Sequence, residues 1–204
     1  MKESLEAYVD DSESFLSSEE DFIKSERTVC RFERISGAIL NRSKKSKVLG
    51  LGQWKGRESW PLKWLKSEKS LKIFGFHIYP DYNQTVEANW SDQLAKLRKL
   101  FFSWSDRCLE TLFQRAEVIR TFALSLVWYR AQVIPLTDRW AKSFESEIRL
   151  FLWKGQPMRN MLPLETVCLP LGKGGLGIPY FRSKCDALLL KQATQLLTEI
   201  LDWG

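Results

Sequence analysis

Residues 5–16 read Leu-Glu-Ala-Tyr-Val-Asp-Asp-Ser-Glu-Ser-Phe-Leu. The first five alternate loosely between apolar and polar, Asp10-Asp11 interrupts them, and a second apolar run closes at Phe15-Leu16. Strand, acidic turn, strand is the reading, and a connection of about two to five residues makes it a hairpin. The next residues carry helix punctuation. Ser17 or Ser18 can cap a helix, with Glu20 or Asp21 three residues on as the capping-box partner. Phe22, Ile23, Val29, Cys30 and Phe32 give that helix a rough apolar face, and Gly37 stands where a left-handed C-cap is wanted. A hairpin followed by a helix sets the opening of the chain as α+β.

Farther along, Asn41-Arg42-Ser43-Lys44-Lys45-Ser46-Lys47 is a basic loop, and Val48-Leu49-Gly50-Leu51-Gly52 reads as a short strand. Residues 53–70 set Trp54, Trp60 and Trp64 among lysines and arginines in a loop-rich connection. Residues 71–79 read as a strand or a bent hairpin, kinked at Gly75 and ended by Pro80-Asp81. From residue 90 the period becomes helical, with Leu94, Leu97, Phe101 and Trp104 recurring on one face. Residues 112–129 form a second, strongly apolar helix that Pro135 breaks. Thr137 caps a third helix running to about Trp153, and Ser183 with Asp186 caps a fourth. Residues 155–179 between them are irregular and rich in proline and glycine. The break falls near residue 85, with an α+β piece over 1–85 and an all-helical piece over 86–204.

Composition narrows the class. The 204 residues are 44% apolar and 27% charged, ordinary for a globular protein. No run approaches the ~18 consecutive apolar residues of a membrane span, and residues 1–6 lack the apolar block of a signal peptide. Cys30, Cys108, Cys168 and Cys185 are scattered without a C-x-x-C pair, and His77 is the single histidine, which disfavours zinc. The expectation is reduced thiols and a cytoplasmic or nuclear, non-secreted protein with no membrane partner. The net charge of +6 is unevenly placed. Residues 1–26 hold nine acidic and two basic residues, whereas 27–72 hold thirteen basic and three acidic. Carboxylates hold cations and lysine-arginine clusters hold phosphates, so the two segments suggest two tasks.

Each motif has a functional and a plain reading. Asp10 and Asp11 at a strand end can coordinate Mg²⁺, a hard cation that takes oxygen ligands and serves phosphoryl transfer; alone, Asp-Asp is a solvated turn. The basic loop can contact a nucleic-acid backbone or be a solvated connection. Gly172-Lys173-Gly174-Gly175-Leu176-Gly177 can cradle phosphate through backbone N–H groups, but it fits neither phosphate-binding pattern, and a tight turn is the better reading. Trp104, Trp128, Trp140 and Trp153 sit at helical spacing and read as core. Trp54, Trp60 and Trp64 are candidates for stacking on bases. His77 reads as structural, since no nucleophile or acid pattern surrounds it.

The order of these features adds what none carries singly. Tyr8-Val9-Asp10-Asp11 resembles the Y-x-D-D motif of reverse transcriptases. Ser36-Gly37-Ala38-Ile39-Leu40-Asn41 with Lys44 resembles the S-G-x-x-x-N-x-x-K segment of reverse transcriptases from non-LTR, LINE-like retrotransposons, a class of transposable element. Ile73-Phe74-Gly75-Phe76 resembles the primer-grip strand, and Phe151-Leu152-Trp153 and Gly174-Gly175-Leu176-Gly177-Ile178-Pro179 resemble the F-L-W and G-G-L-G-I-P signatures downstream of the polymerase core. The resemblance covers nearly the whole chain.

It implies a partial polymerase palm, built of short antiparallel strands plus one helix, followed by a helical thumb. It implies Asp10 and Asp11 as catalytic, Mg²⁺-binding carboxylates and Lys44 beside the nucleotide phosphates. Tyr8, Phe74, Gly75 and Phe76 would lie along the primer end and incoming nucleotide, and Arg42, Lys44, Lys45 and Lys47 along the nucleic-acid backbone. The implied partners are an RNA template, a DNA primer, a deoxynucleoside triphosphate and the missing N-terminal half of the enzyme. The family's palm needs a further aspartate upstream of Y-x-D-D, and Met1 lies seven residues before Tyr8. The expectation is therefore a fragment of an RNA-directed DNA polymerase, a nucleotidyltransferase, that extends no primer alone. The alternatives are a non-catalytic nucleic-acid-binding module and a functionless relic.

Overall fold

The computed structural model describes residues 4–8, 11–42, 46–63, 65–107, 109–154 and 162–202, with side chains for all of these but 4–8, 11–12, 164 and 200–202. The protein mixes α and β structure and is mostly helical, with short strands. It divides into two compact units, residues 1–81 and 82–204. Among the described residues, no helix is long and apolar enough to cross a membrane.

Unit 1 starts with a hairpin of β1 (Ser4–Tyr8) and β2 (Asp11–Phe15), antiparallel, with Tyr8 opposite Asp11. Helix α1 (Glu19–Ser36) follows, and its start is a closed capping box. The Asp21 N–H donates to Ser18 Oγ at 3.3 Å, and Asp21 Oδ2 accepts from the Ser18 N–H at 2.9 Å. Hydrogen bonds from Ser18, then Ser17, hold the Asp21 carboxyl well below the usual carboxylate range against the opposing effect of burial. Gly37 ends the helix at φ 73°, the left-handed C-cap.

The strand expected over 48–52 is shorter and earlier. Only β3 (Lys47–Val48) pairs, in parallel, with β4 (Lys66–Ser67), and Gly52–Trp54 winds into a 3₁₀ turn. That turn requires glycine at 50, where a Cβ would stand 2.1 Å from the Trp54 carbonyl oxygen. Of the tryptophans proposed as base-stacking platforms, Trp60 is core instead and half-buried Trp54 packs against it. Phe22 meets Trp54 and Trp60 at ring separations of 5.7 Å each, and Trp60 is 6% exposed. The Trp60 indole N–H donates to Ser67 Oγ at 2.6 Å. Arg57 lies 5.3 Å over the Trp60 ring and pairs with Glu19 at 2.6 Å. These basic and aromatic neighbours satisfy one another, which explains their interleaving in the sequence. Trp64 lies outside the described residues. The unit ends in a second hairpin, β5 (Leu71–Ile73) and β6 (Phe76–Ile78), antiparallel. Both turn residues, Phe74 (φ 47°) and Gly75 (φ 84°), take positive φ, as a primed hairpin turn demands.

Unit 2 is helical. Its first helix, α2 (Tyr82–Ser105), begins eight residues before the periodicity suggests. Polar residues on its inward face hide the period. Asn89 and Gln93 are buried and donate to the Thr85 and Leu126 carbonyls, both at 2.7 Å. The second long helix is continuous but irregular, consisting of α3 (Leu112–Val118), a π-helical turn (Ile119–Ala123) and α4 (Leu124–Ala131). Helix α5 (Asp138–Leu152) buries Trp140, Phe144, Ile148 and Leu152, one face at helical spacing. Trp90, Phe144 and Phe181 form a chain of ring contacts at 5.7 and 5.5 Å, and the Trp90 indole N–H reaches the Pro135 carbonyl at 3.0 Å.

The irregular stretch contains α6 (Leu164–Cys168) and a 3₁₀ turn at Leu171–Lys173, then leads into α7 (Phe181–Asp202). Helix α7 starts two residues before Ser183, so Ser183 does not cap it. Asp186, its supposed capping partner, instead accepts from Arg182 Nε at 2.9 Å. The glycine-rich loop is a turn, as its plain reading has it. The N–H groups of Gly174, Gly175, Leu176 and Gly177 donate to Leu171, Pro170, Val167 and Leu169 at 3.0, 3.2, 3.1 and 2.8 Å. With those donors spent internally, the loop delivers Leu176 and Ile178 into the core.

Candidate nucleic-acid interface

The chemistry proposed from sequence falls in unit 1. Tyr8 and Asp11 end one strand and begin the next, directly across the hairpin. Val9 and Asp10, the two residues between them, lie outside the described residues, as do the side chains of Tyr8 and Asp11. Two adjacent aspartates after a strand offer oxygen donors of the kind Mg²⁺ takes. Among the described residues, no group of three or more histidine, cysteine or carboxylate side chains gathers as a metal site.

The basic loop returns against α1. Arg42 NH1 and NH2 donate to the two Glu33 carboxylate oxygens at 2.7 and 2.9 Å, and Arg42 Nε donates to Glu26 at 3.2 Å. The Leu40 N–H also donates to Glu33 at 2.7 Å. The Arg42 hydrogen bonds, then that of Leu40, hold the Glu33 carboxyl below its ordinary value, and Glu33 in turn raises Arg42. A phosphate at Arg42 would therefore compete with a bidentate carboxylate. Lys47 pairs with Glu68 at 3.1 Å on a half-exposed surface, where such a pair is weak and readily exchanged. Lys44 and Lys45 lie outside the described residues. Phe74 and Gly75 form the β5/β6 turn and Phe76 opens β6.

The structure thus brings Tyr8 to Asp11, and Phe74 to Gly75 and Phe76. It does not join the two hairpins in one sheet, because the described strands form three separate two-stranded sheets. Sequence reasoning missed Glu26, Glu33 and Glu68, the carboxylates that hold the basic loop. It also missed buried Arg130, which donates to the Asn89 carbonyl at 2.8 Å, to Asn89 Oδ1 at 2.9 Å and to Asp92 at 2.7 Å. Burial opposes the Asp92 charge, but Lys96 and Arg130 outweigh it and lower that pKa. Arg115, also buried, closes the end of α5 by donating to the Leu152 carbonyl at 2.7 Å.

The two downstream motifs meet in unit 2. Leu152 and Trp153 from one, and Ile178 and Pro179 from the other, line a single cavity of about 380 Å³. Compared with protein-family models, curated proteins and solved structures, the chain gives no match to any.

Proposed function

We propose that this chain is the part of a non-LTR retrotransposon reverse transcriptase that runs from the palm turn into the thumb, and that it binds an RNA template paired with a DNA primer. The observation that carries the reading is the hairpin register. Tyr8 and Asp11 are cross-strand partners, so the first and last residues of the Y-x-D-D motif face each other across the hairpin. A capped helix, a basic loop and a primed hairpin at Phe74-Gly75 follow in the order the resemblance requires. The excess of basic residues over 27–72 supports phosphate contact independently.

In this reading Asp10 and Asp11 hold Mg²⁺, which when bound supplies charge stabilisation for transfer of a nucleotide to the primer 3′-hydroxyl. Tyr8 lies at the primer terminus, the Phe74–Phe76 turn holds the primer end, and Lys44 neutralises nucleotide phosphate. Lys45, Lys47 and Arg42 follow the backbone, Arg42 only by leaving Glu33.

The experiment is photocrosslinking from a primer with a reactive 3′ end, annealed to RNA. Crosslinks at Tyr8 and at 74–76 support the reading. Crosslinks confined to 82–204, or none, contradict it. Iron(II) in place of Mg²⁺, with hydrogen peroxide as oxidant and ascorbate to recycle the iron, is expected to cleave the backbone beside Asp10-Asp11, and Asp10→Asn with Asp11→Asn to abolish that cut. The second reading, a binding module without chemistry, rests on the same basic segment and predicts hybrid binding with no such cleavage.

A further inference from the structure

The cavity in unit 2 has a floor and a rim of different chemistry. Ile148, Val167 and Phe181, each buried, make the floor, and half-buried Trp153 closes one side. Its volume of about 380 Å³ lies at the small end of the range for ligand sites. Glu145 and Arg149 also line it, from the same helix. They are four residues apart, about 6 Å along the axis.

Of the six charged side chains on α5, Asp138, Arg139 and Glu147 are engaged, and Lys142, Glu145 and Arg149 are not, among the described residues. Arg98 pairs with Glu147, Arg139 with Glu87, and Arg182 with Asp138 and Asp186. Glu145 and Arg149 differ. Among the described residues, neither side chain has an ion-pair or hydrogen-bond partner, and they do not pair with each other. An apolar pocket edged by one unpaired charge of each sign discriminates among ligands. A cation meets Glu145 but is repelled by Arg149, an anion meets the reverse, and a neutral ligand uses neither. A ligand with both charges on an apolar body satisfies all three features at once, and the Trp153 and Phe181 rings in the lining suit an aromatic one. The field of Glu145 also extends inward: after burial, it is the second cause raising the Cys168 thiol pKa.

We propose that this cavity binds a small zwitterion with a flat apolar body, of the chemical class of the aromatic amino acids, with its ammonium at Glu145 and its carboxylate at Arg149. The site stands apart from the nucleic-acid reading and does not depend on it.

The test titrates the full chain with L-tryptophan, tryptamine, indole-3-propionate and 3-methylindole, following the Ile148 and Ile178 methyl signals by NMR. Tryptophan is expected to saturate and to bind roughly three- to tenfold more tightly than either singly charged analogue, as partly exposed charge contacts give. Glu145→Gln is expected to weaken tryptophan by a similar factor and to tighten indole-3-propionate, whose carboxylate it no longer repels. Arg149→Gln is expected to weaken tryptophan and to tighten tryptamine, whose ammonium it no longer repels. Both positions are on the rim, so far-UV circular dichroism should remain that of the parent. Absence of a saturable shift up to the solubility of tryptophan would overturn the proposal. So would binding that leaves both methyl signals still, 3-methylindole binding as tightly as tryptophan, or charge variants without effect.

Discussion

In residues 82–204 the inward faces of α2, α4, α5 and α7 converge on Trp90, Val127, Phe144 and Cys185, all essentially fully buried. In residues 1–81, among the described residues, only Phe22 and Trp60 are buried apolar side chains. Helix α1 is as well capped as any, yet it leaves Phe32 and Ile35 at 61% and 75% exposure. The difference teaches how each unit is held. Unit 2 rests on packing, which rewards many residues at once. Unit 1 rests on local devices: a capping box, two paired hairpins and the fork of Arg42 on Glu33. Among the described residues its strands form three separate two-stranded sheets, so each strand has an edge with no strand partner, the condition under which strands recruit further partners.

That contrast is open to being broken by substitution, beginning where the loss should be greatest. Phe144→Ala empties the centre of unit 2 and should cost about 3–5 kcal/mol in chemical denaturation; a loss under about 1 kcal/mol would mean that packing is not what holds the unit. Arg130→Met removes the guanidinium that satisfies the buried Asn89 carboxamide oxygen, and should cost about 1–3 kcal/mol. Gly175→Ala places a Cβ 2.1 Å from the Leu169 carbonyl oxygen, against backbone that cannot yield cheaply. It should cost about 1–3 kcal/mol and displace Leu176 and Ile178, visible in their methyl shifts.

Ser18→Ala is the smallest, about 1 kcal/mol, and belongs to unit 1. It carries a pH signature. The Asp21 pKa is lowered in the folded chain, so the stabilisation it brings is complete above the ordinary carboxylate range near 4. It is lost as pH falls from there toward the folded value. Protection of the first-turn amides of α1 against exchange, relative to the intrinsic rate at each pH, should fall on acidification in the parent and fall less in Ser18→Ala. Equal acid sensitivity in both would remove the capping box as the device holding α1.

How much could be read from the sequence follows the same division. The cap at Ser18 and the stop at Gly37 were legible because each depends on neighbours within four residues. The buried positions of α5 were legible because its face is uniformly apolar. The start of α2 was not, because Asn89 and Gln93 face inward and a buried carboxamide looks like surface in a periodicity. The fates of Trp54 and Trp60 were hidden because Phe22 lies more than thirty residues earlier in the chain. Arg42 looked like a free phosphate contact because its partners, Glu33 and Glu26, are nine and sixteen residues away. The two hairpins that carry the candidate motifs were legible from local alternation and turn residues. That the two hairpins pair in separate sheets was not, since strand pairing between distant segments leaves no local pattern.

The central claim, that the basic segment of unit 1 holds nucleic acid, is tested most directly by the salt dependence of binding to a fluorescent RNA–DNA hybrid. Changing Lys44, Lys45 and Lys47 together to alanine leaves up to three phosphates without their lysines. The slope of log K against log salt concentration should then become shallower by roughly 2 to 3, about 0.9 for each phosphate no longer neutralised. An unchanged slope, or affinity no greater than that of an unrelated protein of equal net charge, would contradict the account.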